Sequence, residues 1–92
     1  MFVPLDAKTT TTSIDSTGTV FTKPAAADTV LIQNTAGSVL LVGYQEMPAD
    51  ATGFQIPANT AAELRILTAS LYLKRKAGTT TEPAIVSFGV SQ

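Results

Sequence analysis

The sequence predicts an all-β fold: a small antiparallel β-sandwich or jelly-roll-like barrel of about seven or eight strands, with an extended N-terminal arm. Three observations carry this. Short runs alternate apolar and polar residues, which is the signature of a half-buried strand. Gly, Pro, Asn and Asp interrupt these runs about every eight to twelve residues. No stretch of about ten residues keeps a helical period free of Pro, Gly or a Thr cluster.

The elements follow in order. Residues 9–19, TTTTSIDSTGT, are dominated by β-branched Thr, which favours extended backbone. The run is too polar to bury itself and reads as an extended arm or an edge strand. Pro4 fits an arm, because it cannot donate to a ladder. The arm is set at residues 1–17 and the sandwich at residues 18–92. Phe2, Val3 and Leu5 form an apolar tip, expected to dock on a neighbouring subunit while the isolated arm is weakly held.

Gly18 to Lys23 is a short strand with Val20 and Phe21 on opposite faces. Pro24 and Asp28 confine the three alanines between them to a connection. Asp28 to Asn34 and Val39 to Tyr44 read as the two arms of a hairpin. Its turn is expected to use Asn34 for left-handed backbone and Gly37 for positive φ. Gly43 signals a bulge or a close neighbour. Residues 45–53 form a loop. Phe54 to Ile56, Ala62 to Leu67, Leu71 to Lys74 and Ala84 to Val90 complete the strands. The expected core takes Val20, Phe21, Val30, Ile32, Val39, Leu41, Phe54, Ile56, Leu64, Ile66, Leu71, Leu73, Ile85 and Phe88. A slip of one residue would exchange faces.

One strand poses a question. Val39-Leu40-Leu41-Val42 is apolar on both faces, so something must cover the face turned from the core. With Val39 and Leu41 inside, Leu40 and Val42 become candidates for a protein interface.

Composition narrows the function. The chain has 92 residues, enough for one small domain. Charged residues are only 14%, low for a solvated surface and suggestive of an assembly. The net charge of −1 gives no pull towards nucleic acid or an anionic membrane. No segment reaches the roughly 20 apolar residues of a membrane span. The start of the chain lacks the pattern of a signal peptide, so residence in the cytosol or release by lysis is expected.

The chain has no His and no Cys. It thus lacks the commonest general base, the commonest metal ligand and all thiol chemistry. No G-x-S-x-G elbow and no phosphate-binding glycine loop is present. The seven carboxylates stand alone in the sequence, and Glu46 with Asp50 is a poor calcium loop. No enzyme activity, cofactor or metal is therefore expected. Lys74-Arg75-Lys76, the only charge cluster, reads as a solvated strand end, or else as a contact to phosphate or an acidic protein. Tyr44 and Tyr72 read as core or interface residues, or as platforms for a sugar.

Four segments carry a resemblance: VLIQNTAGSVLLVGY, GFQIPANTAAELRI, SLYLKRK and AIVSFGV, within residues 28–92. In pattern they resemble small β-domains of tailed-phage virions, especially capsid decoration (cement) proteins. The resemblance implies a structural virion protein that bridges capsomers on the capsid surface. It implies synthesis in the host cytoplasm, the major capsid protein as partner, and a homo-oligomer, with a trimer favoured. The alternative is a tail- or fibre-associated β-domain, with Tyr44, Tyr72 and the 45–53 loop as the elements that would hold a carbohydrate.

Overall fold

The computed structural model describes residues 1–92. Eight strands form two four-stranded antiparallel sheets, and there is no helix. The strands are β1 (Phe2–Ile14), β2 (Thr19–Thr22), β3 (Thr29–Asn34), β4 (Leu40–Gly43), β5 (Phe54–Ile56), β6 (Thr60–Arg65), β7 (Ser70–Arg75) and β8 (Glu82–Ser91). One sheet has the order β1-β8-β3-β6 and the other β2-β7-β4-β5. Thus β1 lies beside β8, β2 beside β7, β3 beside β6 and β4 beside β5. This is a long hairpin rolled across two sheets, the jelly-roll arrangement.

The roll corrects the expected hairpin. β3 and β4 belong to different sheets, and residues 35–39 arch between them. Asn34 directs the arch with its side chain, not with left-handed backbone. Its Nδ2 donates to the carbonyls of Ser38 (2.8 Å), Ile56 (3.1 Å) and Pro57 (3.1 Å). The positive-φ glycines are Gly18 and Gly78, so Gly37 plays no such part.

The residues 1–17 are not a free arm. β1 pairs with β8 at Phe2–Pro4 and again at Thr9–Ile14. Between these, Leu5 to Lys8 bulge out, with Ala7 at φ 59°. Ile14 is fully buried in the core, and Leu5 packs against it. Pairing to the C-terminal strand and burial of Ile14 make this segment part of the domain.

The inner faces meet in a core of Ile14, Val30, Ile32, Leu40, Val42, Ile56, Ile66, Leu71, Leu73, Ala84, Val86 and Phe88, with Ala27. Register exchanged several expected choices. Leu40 and Val42 face inward in place of Val39 and Leu41, so neither is an interface residue. Val86 is buried on β8 while Ile85 is only half-buried. Val20 stands opposite Tyr72 on the outer face and is exposed. Phe54 lies opposite Val42 but is 52% exposed, because its strand is the last of its sheet.

At one end of the roll, Arg75 is fully buried. Its Nη1 donates to Asn34 Oδ1 (2.8 Å) and the Ser38 carbonyl (2.9 Å). Its Nη2 donates to the carbonyls of Pro83 (2.9 Å) and Glu82 (3.4 Å). Only Nε has no partner. The Glu82 carboxylate turns to the Ser38 hydroxyl and the Gly37 amide instead. Burial pushes the guanidinium pKa below its usual value, and the nearby charge of Glu82 opposes this.

Two outcomes test this packing. Arg75→Met removes the guanidinium bonds to Asn34 Oδ1 and to the Ser38, Glu82 and Pro83 carbonyls, leaving Asn34 Oδ1 only the long bond from the Ala36 amide (3.4 Å), so unfolding in urea should show a loss of about 3 kcal/mol. Ile14→Ala should cost about 2–5 kcal/mol, as expected for a core isoleucine. A loss below about 0.5 kcal/mol would place the start of the chain outside the cooperative unit.

Candidate functional site

The question raised by β4 has an internal answer. Leu41 points away from the core yet is fully buried. Residues 44–53, which follow β4, fold back over it. Pro48 is buried in this loop, and a methyl added at Gly53 would lie 2.6 Å from Pro48 Cβ and 3.6 Å from Leu41 Cδ2. Gly43 is required for the same reason: a side chain there would collide with the Glu46 carbonyl and Pro48. The close neighbour signalled by this glycine is therefore the loop itself.

Asp50 pins the far end of the loop. Its carboxylate meets Lys74 Nζ at 2.9 Å and accepts from the Ala77 amide at 3.0 Å. The hydrogen bond from Lys74, then that from Ala77, lowers the Asp50 pKa. Both of these partners of Asp50 lie within the domain. No group of three or more acidic, His or Cys side chains converges anywhere. The basic triplet is likewise divided: Lys74 holds Asp50 while Arg75 is buried inside the domain.

The folded loop leaves a cleft of about 730 Å³ at the open side of the sandwich. Its walls include Tyr44, Met47 and Pro48 from the loop, Phe54 from β5, and Arg65 and Leu67 from the end of β6 and the turn after it. Here both sheets end, because β5 and β6 are edge strands. Phe54 is 52% and Leu67 78% exposed. Leu67 follows the buried Ile66, so two consecutive apolar residues break the alternation of the strand. Desolvation raises the pKa of the Tyr44 phenol, so it stays a neutral donor through the physiological range.

Beside the cleft, Asp28 ties strand ends together. Its carboxylate accepts from the Thr29 hydroxyl (2.8 Å) and the Ser91 amide (3.0 Å). Its backbone joins Gly89 (3.0 Å) and Ile66 (2.9 Å). The Thr29 and Ser91 bonds lower its pKa, with a smaller contribution from Arg65.

The residues singled out from the sequence scatter. Tyr44 lines the cleft and touches the core, whereas Tyr72 lies on the outer face of its sheet between Val20 and Gly43. The two tyrosines do not share the cleft. The Phe2 ring lies against Gly89, Val3 stands opposite Val90, and Leu5 packs on the core. Phe54, Leu67, Met47 and Arg65 were absent from the sequence candidates. The Ile66-Leu67 pair was the available signal.

Comparison with protein-family models, with curated proteins and with solved structures returns no match to this chain.

The loop should respond to acid. A carboxylate with a lowered folded pKa stabilises above its unfolded pKa, near 4, and loses that effect as pH falls through the folded value. Hydrogen exchange at the Ala77 amide, corrected for intrinsic rate, should therefore quicken below about pH 4. Asp50→Asn should show the faster exchange already at neutral pH. Unchanged protection in the variant would mean that Asp50 does not hold the loop.

Proposed function

We propose that this protein is a structural assembly module that docks on another protein through the cleft at the open side of its sandwich. The observation that carries this is the pair Phe54 and Leu67, two large apolar side chains exposed at the rim of one cleft. Exposed apolar residues gathered at a concavity mark interaction sites, whereas scattered ones do not. Arg65 adds a cation that suits an acidic group on the partner.

At finer grain, the proposal is a decoration or cement subunit of a tailed-phage head, seated on the major capsid protein. The sequence resemblance supports that reading, and the jelly roll is a fold used by viral capsid domains. Fold alone is an analogy, since the same architecture serves lectins. A second reading, a carbohydrate-binding β-domain of a tail or fibre, draws on Tyr44 and Phe54 in the cleft.

Co-sedimentation with heads that lack the protein tests the first reading. Wild type should pellet with heads. Phe54→Asp and Leu67→Asp should each weaken binding by about tenfold, as loss of a buried anchor does, with little change in stability because both sites are exposed. Failure of the wild type to bind heads removes the capsid reading. Binding by both variants at wild-type strength removes the cleft. Shifts of Tyr44 and Phe54 resonances on adding oligosaccharide would favour the carbohydrate reading.

A further inference from the structure

The domain has four sheet edges, β1 and β6 on one sheet and β2 and β5 on the other. Three are defended against pairing with another chain. β5 has three residues and ends at Pro57; β2 has four and runs into Lys23 and Pro24; β6 carries Glu63 and Arg65. Short length, proline and charge are the usual defences of an open edge. β1 has them only in its first half, through Pro4, Asp6, Lys8 and the bulge at Ala7.

From Thr9 to Ile14 the edge is bare. The segment has no charge, proline or glycine, and it pairs with β8 in unbroken register from Thr9↔Ser87 to Ile14↔Glu82. β8 is its one neighbour in the sheet, so the opposite edge has no partner strand. Thr9, Thr10, Thr11 and Ser13 are exposed.

We propose that a second copy of this chain occupies this edge, by antiparallel pairing of β1 with β1 about a two-fold axis at Thr11. That register sets Thr11 against Thr11, Thr10 against Thr12 and Thr9 against Ser13. Every opposed pair is then hydroxyl to hydroxyl, a favourable cross-strand combination. The same surface serves both copies, as a closed two-fold interface requires.

Charge selects this arrangement. At each end, Lys8 of one copy comes beside Ile14 and Asp15 of the other, so unlike charges flank the neutral centre. Parallel pairing in register would instead set Lys8 on Lys8 and Asp15 on Asp15, which is repulsive. The two four-stranded sheets become one continuous sheet through the dimer. The pairing leaves the cleft free, so it is independent of the docking reading. It gives a two-fold pair in place of the three-fold ring that the resemblance implies.

The absence of native cysteine makes Thr11→Cys a clean probe. Opposed Cα atoms in an antiparallel pair lie about 4.5–5.5 Å apart, within reach of a disulfide. Under mild oxidation the full-length Thr11→Cys chain should form a covalent dimer. Thr80→Cys, on the exposed 76–81 connection, should stay monomeric. In sedimentation, wild type should associate to a dimer. Thr11→Lys should lower dimer affinity by about tenfold or more, because it puts two ammonium groups together at the axis. Circular dichroism should show that the lysine variant stays folded; if it does not, the cysteine pair still decides. Equal cross-linking of both cysteine variants, or a wild type that stays monomeric at every concentration, overturns the pairing. So does protection of the β1 amides only on adding a foreign extended peptide, which would assign the edge to another protein.

Discussion

Arg75 carries its guanidinium, fully buried, into the end of the sandwich where the chain passes between sheets. Four chain crossings meet at its end of the sandwich: β1 to β2, β3 to β4, β5 to β6 and β7 to β8. Arg75 or its ligand Asn34 touches each of them. The Arg75 amide bonds the Asp15 carbonyl at 2.9 Å, and its guanidinium takes carbonyls at Ser38, Glu82 and Pro83. Asn34 adds Ile56 and Pro57. Crossings between sheets leave backbone carbonyls that no ladder can satisfy, and burying them unpaired is costly. One residue with a planar fork of donors meets several at once. Its charge is desolvated without a direct carboxylate partner, which on its own is unfavourable. Neutral carbonyl dipoles around it offset that cost, and removing the fork would take a donor from each of them at once.

The opposite end is held differently, and this difference positions the candidate site. There Asp28 ties strand ends with one carboxylate and its own backbone. Between β5 and β6 nothing closes the sandwich, because each is the last strand of its sheet. The 44–53 loop covers the outside of β4 and leaves the inner margin open. Phe54 thus faces the core side yet meets solvent. A loop fixed at Asp50 and packed at Pro48 and Leu41 gives the cleft one stable wall. Binding surfaces are commonly loops on a rigid scaffold, and this arrangement is of that kind.

The low charge content has a local distribution. Charge is placed where edges or loops need it: Lys74 on Asp50, Glu63 and Arg65 on the edge strand β6, and Lys8 and Asp15 at either end of the threonine run. The outer face of β4, which suggested a hidden interface, is covered by the chain's own loop. The large apolar side chains left exposed are Phe54 and Leu67 at the cleft, Val20 on the outer face of the other margin, and Met1 at the start of the chain.

The class of fold and the place of nearly every strand were legible in the order of residues alone. Alternation and turn chemistry are local, and β2 to β8 all fall within two residues of their expected bounds. The sequence also carried Gly43 as a sign of close approach. It did not determine pairing. Whether Asn34 turns the chain back on itself or across to the other sheet depends on a guanidinium from Arg75, distant in sequence. Which of Leu40 and Leu41 faces inward depends on register with β5 and β7, and a shift of one residue reverses it. The basic triplet concealed a buried arginine, because exposure follows from strand parity and neighbours, not from residue type. The cleft exists only where two edge strands and a folded loop meet, so no local pattern could announce it. The one local trace was Ile66-Leu67, where the second residue had to leave the core because successive side chains on a chain near-extended point to opposite sides.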